Sequence, residues 1–194
     1  MDNSLNSTPT PIAGAFVLER QHRGDERGFF ERIYCSDSLA SCGWQGGIAQ
    51  VNHSFTAGRG TCRGLHYQLP PFDEYKLVSC LRGAVWDVVL DLRHGSPSFL
   101  HYFSIELSEQ NARALLLPPG CAHGFQTLSE SVDLLYCHSQ RYAPDCEAGV
   151  HVLDPRLNIA WPLPVERLSP RDAAFAYVSD DFQGVQIEMP PLPR

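Results

Sequence analysis

From about residue 14 to residue 186 the chain moves in short beats. Segments rich in β-branched, aromatic or leucine side chains ("AFVLER", "FFERIY", "IAQVNHSF", "YKLVSCL", "AVWDVVLDLR", "HYFSIEL", "ARALLLP", "GFQTL", "VDLLYCHS") are separated by clusters of Gly, Pro, Ser or Asn. That spacing predicts an all-β sandwich or barrel. In "AVWDVVLDL" the strand period puts Trp86, Val88, Leu90 and Leu92 on one face and Val85, Asp87, Val89 and Asp91 on the other. A carboxylate among valines at Asp87 implies either a strand edge or a polar lumen. Residues 63–78, "RGLHYQLPPFDEYKLV", also look β-like, yet carry Arg63, His66 and Lys76 where packing alone would select valines.

Helical signals are few. "CSDSLASCG" allows one or two turns capped by Ser36 and ended by Gly43. "LSPRDAAFAY" predicts a helix with Ser169 as N-cap, Pro170 at the first helical position and Asp172 in the first turn. Residues 1–13 and 187–194, rich in Ser, Thr, Asn and Pro, read as flexible tails. A single domain over residues 14–186 remains, without internal repeat.

Composition narrows the function. A chain of 194 residues buries a core without staples. Its net charge of −7 argues against nucleic acid and anionic membranes as partners, both of which select basic surfaces. No basic-then-apolar start marks a signal peptide, and no run approaches the roughly 18 apolar residues of a membrane helix. Seven cysteines, an odd number without a CxxC pair, fit free thiols in a reducing cytoplasm.

"PPGCAHGF" supplies Pro118, Gly120 and His123 in the P-x-G-x2-H pattern of the second cupin motif. The first cupin motif normally brings a His-x-His pair; here it reads His66-Tyr67-Gln68. One imidazole is missing, which makes a poor divalent-metal site, so neither metal nor cofactor is expected. The ordered set "GDERGFF", "RGLHYQ", "KLV", "RGAVWDVVLDLRHGSPSF", "LSEQNARALLLPPGCAHGF", "LLY", "YAP" and "LSPRD" resembles the dTDP-4-dehydrorhamnose 3,5-epimerase family, metal-free cupin jelly rolls acting on nucleotide sugars.

The resemblance implies an epimerase that removes the C3 or C5 proton of a nucleotide-linked 4-keto-6-deoxy sugar and returns one to the opposite face. It makes His66 the general base, Asp172 its orienting carboxylate, Tyr136 the general acid and Lys76 the cation near the developing oxyanion. It places Arg27, Gln50, Asn52, Arg63, His123, Glu147 and Arg171, together with Lys76, on the substrate, and it implies a homodimer that exchanges an N-terminal strand. The chemistry suits these residue types. Histidine titrates near neutrality, a cation stabilises an enolate, and arginine forks bind diphosphate oxygens.

Without the motif order, the same residues have plainer roles. His66 could be a hydrogen-bonded strand histidine, Tyr136 a barrel plug, Asp172 a helix-capping acid and Tyr142 a turn residue instead of a pocket aromatic. His22, His53, His94, His101, His138 and His151 read as surface or packing residues, and Arg59 and Arg93 as solvated. Arg32 and Val51 stand where the family commonly has Glu and Asp, which predicts altered selectivity for the base or sugar, and Ser79 stands where it often has Arg. Single-carbon epimerisation, another 4-keto nucleotide sugar and a noncatalytic sugar-binding cupin are the competing functions.

Overall fold

A computed structural model describes residues 5–187. Two antiparallel sheets face one another. The first runs in the order β1 (Asn6–Pro9), β2 (Phe16–Glu19), β10 (Arg113–Leu117), β7 (Lys76–Arg82), β12 (Ser131–His138), β5 (Gln50–Ala57). The second runs β13 (Glu147–Gly149), β6 (Cys62–Gln68), β11 (Cys121–Thr127), β8 (Ala84–Asp91), β9 (Tyr102–Ser108). A separate hairpin joins β3 (Arg23–Asp25) to β4 (Gly28–Phe30), and two short helices follow, α1 (Ser36–Ser41) and α2 (Pro170–Ala173). This is the expected jelly roll.

Apolar faces decide the layering. Between the sheets lie Val17, Val78, Val85, Val89, Leu115, Phe125, Val132 and Leu134. The outer face of the first sheet packs Phe16, Leu18, Leu77 and Leu116 against Leu39 and Trp44 from the α1 region. Beneath the second sheet, Val88, Leu90 and Leu92 are covered by Val150, Val152, Leu157 and Val185 from the C-terminal segment. Each such side chain contributes about 1.5–3 kcal/mol by leaving water.

The β8 alternation comes out as its pattern demands, and Asp87 points between the sheets rather than to an edge. It is fully buried and meets Nε2 of His123 at 2.9 Å. The same switch occurs along β12, where Val132 and Leu134 give way to Tyr136 and His138. One end of the sandwich interior is therefore apolar and the other polar.

Several expectations need correction. Residues 5–13 are no tail: β1 pairs with β2, and Leu5 and Ile12 are buried. The remaining parts of the expected tails, residues 1–4 and 188–194, lie outside the described residues. The strand expected over "FFERIY" ends at Phe30, because Glu31 turns to Arg20 (3.2 Å) and His22 (3.0 Å). Cys35, not Ser36, holds the N-cap position of α1. Arg93 is not solvated. It is 2% exposed, bonded through two nitrogens to Asp91 and through Nη2 to the carbonyl of Ala13. All seven cysteines are unpaired.

Candidate active site

The polar end of the sandwich opens into a pocket with one wall on each sheet. Strands β5, β7 and β12 bring Gln50, Asn52, Ser54, Lys76, Tyr136 and His138; strands β6, β11 and β13 bring Arg63, His66, His123 and Glu147. Arg171 and Tyr142 close its mouth.

His66 sits opposite His123 in the β6–β11 register. Two glycines allow that approach. A Cβ on Gly64 (φ +114°) would stand 2.6 Å from Cα of Gly124 and 2.7 Å from the carbonyl oxygen of His123. The Gly64 N–H then donates to Oδ2 of Asp172 (3.2 Å), while Oδ1 receives Nε2 of His66 at 2.7 Å. Asp172 does lie in the first turn of α2, but the Ser169 hydroxyl caps that turn by accepting its N–H (3.0 Å). The carboxylate is thus freed for the histidine. Burial alone would raise the Asp172 carboxyl; hydrogen bonds from His66 and Gly64 and the nearby Arg171 charge outweigh it and hold the group below the ordinary carboxylate range.

An ionised carboxylate only accepts, so Nε2 of His66 carries the hydrogen. Arg171 Nη2 lies 3.1 Å from the same nitrogen, which cannot serve both; the better partner of Arg171 is Glu147, at 2.9 Å from Nη1. Nδ1 of His66 has no hydrogen-bond partner among the described residues and keeps its lone pair. The Phe175 ring meets the imidazole edge-on at 5.6 Å.

Across the pocket, Tyr136 stands at 6.0 Å from the His123 ring, with its hydroxyl 3.2 Å from Ser54. Burial raises the phenol to about 12, with the Ser54 hydrogen bond and the Arg63 charge pulling the other way. At neutral pH it is a proton donor. Lys76, opposite His138 in register, is held 3.2 Å from Glu74. Arg63 donates to Thr56 (3.3 Å), Gln50 accepts from the Tyr142 N–H (2.9 Å), and the Tyr142 hydroxyl meets Glu147 at 2.7 Å, so Tyr142 is a pocket aromatic.

One expected ligand residue is elsewhere. Arg27 is exposed on the β3–β4 hairpin and bonded to Asp25 (2.6 Å), outside the pocket. His138, expected as surface or packing, lines the pocket and is 8% exposed. Sequence reasoning also passed over Ser54 and Glu74. The missed signal was the strand period, which carries the pocket face from Asn52 to Ser54 and from Tyr136 to His138; Glu74 lies just before β7, where no period marks it. Of the departures from the family pattern, Ser79 is buried in the first sheet away from the pocket and Val51 is exposed.

Comparison with known proteins gives the family. A family profile described as dTDP-4-dehydrorhamnose 3,5-epimerase matches residues 9–180. A dTDP-4-dehydrorhamnose 3,5-epimerase of Streptomyces griseus is 42% identical over 81% of this chain and 78% of its own. A dTDP-4-dehydrorhamnose 3-epimerase of Streptomyces niveus is 41% identical over 84% and 79%. The crystal structure of a dTDP-6-deoxy-D-glucose-3,5-epimerase from Legionella pneumophila, in complex with dTDP-4-keto-L-rhamnose, superposes with a TM-score of 0.87 at 36% identity, covering 95% of this chain and all of that one. The chain belongs to the dTDP-4-dehydrorhamnose 3,5-epimerase family and is an isomerase of nucleotide-linked 4-keto-6-deoxy sugars.

Proposed function

We propose that Nδ1 of His66 removes the proton next to the C4 ketone of a dTDP-linked 4-keto-6-deoxy sugar, and that Tyr136 returns a proton to the opposite face. The observation that carries this reading is the 2.7 Å His66–Asp172 bond, which leaves one imidazole lone pair in a pocket shared with Tyr136 and Lys76. The electrons of the broken C–H bond move into the carbonyl. The Lys76 ammonium stabilises the enolate oxygen, a donor fixed in place before charge develops. Tyr136 gives its phenolic hydrogen to the carbon, and the imidazolium returns its proton to the phenolate through solvent, so the cycle closes without net charge.

Arg63 and Arg171 suit the diphosphate, with Gln50, Asn52, His123 and Glu147 on the sugar and nucleotide. Arg27 joins them in a homodimer whose β3–β4 hairpin enters the neighbouring pocket. The support is an apolar, exposed surface: Phe29, Phe30, Val51 and Phe55 are 53–68% exposed, and β5 has an unpaired outer edge. The reaction belongs in the cytoplasm, where seven unpaired thiols persist. No described helix is long and apolar enough to cross a membrane.

The test is incubation of dTDP-4-keto-6-deoxyglucose in deuterated water. The expected result is deuterium at C3, C5 or both, with the epimer formed and turnover unchanged by exhaustive chelation. Absence of any exchange, or activity that a chelator abolishes and added metal restores, would sink the reading.

A further inference from the structure

The mechanism above leaves a buried carboxylate unused. Glu74 is 8% exposed in the pocket wall, two residues before the strand position of Lys76. Its Oε1 lies 3.2 Å from Lys76 Nζ and its Oε2 2.9 Å from Nδ1 of His138. On the far side of that ring, Nε2 is 3.3 Å from Nδ2 of Asn52. His138 also lies against Tyr136, with ring centroids 6.1 Å apart and planes within 24°.

The hydrogens in this chain can be assigned by chemistry. An ionised Glu74 only accepts, so Nδ1 of His138 carries its hydrogen toward it. Nε2 of the neutral ring is then an acceptor and takes a hydrogen from the Asn52 amide. That leaves the Asn52 carbonyl oxygen as the end not used by the ring.

We infer that Glu74 is a positioning residue: this one carboxylate holds the Lys76 ammonium where the enolate oxygen forms and, through His138, fixes which end of the Asn52 amide meets the ligand. The inference rests on the reading of Lys76 as the enolate's cation. A lysine on a flexible four-carbon stem stabilises a transition state only when its ammonium is already in place, and the salt bridge supplies that place.

Glu74→Gln keeps the size and removes the charge. Its amide oxygen stays with the ammonium, the stronger donor, so its NH2 group faces His138. Nδ1 must then accept, the ring hydrogen moves to Nε2, and Asn52 has to turn over. Nitrogen-15 NMR of histidine-labelled protein should show the Nδ1–H tautomer of His138 in the wild type and the Nε2–H tautomer in the variant. In the deuterium assay, Glu74→Gln should lower kcat about tenfold, as expected for one hydrogen bond between charged groups. KM for the sugar nucleotide should rise as well, because Asn52 has turned over, whereas Lys76→Met leaves that amide in place and should lower kcat with little change in KM. In a Lys76→Met background the same change should cost nothing further in kcat. Wild-type kcat in Glu74→Gln, an equal loss in both backgrounds, or an Nε2–H tautomer in the wild type overturns the inference. Wild-type kcat in Lys76→Met overturns the role of Lys76 itself, and this inference with it. Should Glu74→Gln not fold, His138→Leu reads the network from the other end: it should raise KM by more than it lowers kcat, and an unchanged KM overturns the inference.

Discussion

The two walls of the pocket each carry a carboxylate-oriented imidazole, and they differ in which ring nitrogen is left open. On the β6 wall Asp172 holds Nε2 of His66, and Nδ1 is left open; the side chain is 23% exposed. On the β12 wall Glu74 holds Nδ1 of His138, but Asn52 occupies Nε2 and the side chain is 10% exposed. A third pair, His123–Asp87, is buried more deeply at 7% and 0%. An acid–histidine pair by itself therefore does not single out the proposed base. What distinguishes His66 is a spare lone pair together with access to the ligand.

The sharpest way to break this comparison is to exchange the two histidines for amides. His66→Asn should lower epimerisation about 10²–10⁴-fold, the range for a lost general base, with dTDP affinity retained. His138→Asn should cost far less in the same assay. Equal losses would erase the distinction between the walls. Asp172→Asn comes next, at about 10²-fold, because an amide can present the wrong hydrogen to Nε2 and misplace the lone pair.

Tyr136→Phe sharpens the comparison by separating exchange from inversion. His66 and Lys76 remain, so deuterium should enter the recovered starting sugar while epimer formation falls at least about tenfold; a partner left unpaired at Ser54 would cost only about 1–3 kcal/mol in stability. Wild-type inversion would reduce Tyr136 to a packing residue and move the acid role to Tyr142 or a water.

Smaller effects come from the supports. Gly149→Ala would bring a Cβ within 2.3 Å of the Phe175 ring, which packs on His66. Overpacking of about 1–3 kcal/mol should lower Tm by several degrees. Smallest is an acid effect. Because the folded Asp172 carboxyl lies below its ordinary value, it adds stability above roughly pH 3.9, the ordinary aspartate value. That contribution fades as pH falls through the folded value. Urea melts at pH 6 and pH 3 should show the gap between wild type and Asp172→Asn narrowing in acid.

The sheet core was legible because strand alternation is local: Trp86 and Asp87 declare opposite faces within one segment. The pocket was legible mainly through motif order, since no local rule joins His66 to an aspartate 106 residues away. β1 was missed because "NSTP" has no apolar alternation; its pairing comes from β2, and burial of Leu5 and Ile12 anchors the segment. Arg93 was misread because its partners Asp91 and Ala13 are set by a corner, not by a period. Arg27 was placed by motif alone, and within one chain no neighbouring strand carries it to the pocket.

The long separation between paired strands has a consequence during synthesis. β2 finds its inner partner only in β10, where Glu19 lies opposite Arg113. At about 5–20 residues per second, Phe16, Val17 and Leu18 wait several seconds or more after emerging before that strand exists. Such nonlocal closure is slow to form and leaves apolar segments open to wrong partners in the interval. The last helix to arrive is α2, with Asp172. A nascent chain stopped before it would have all thirteen described strands in hand but a His66 imidazole without its carboxylate, so on the mechanism proposed above proton removal waits for α2.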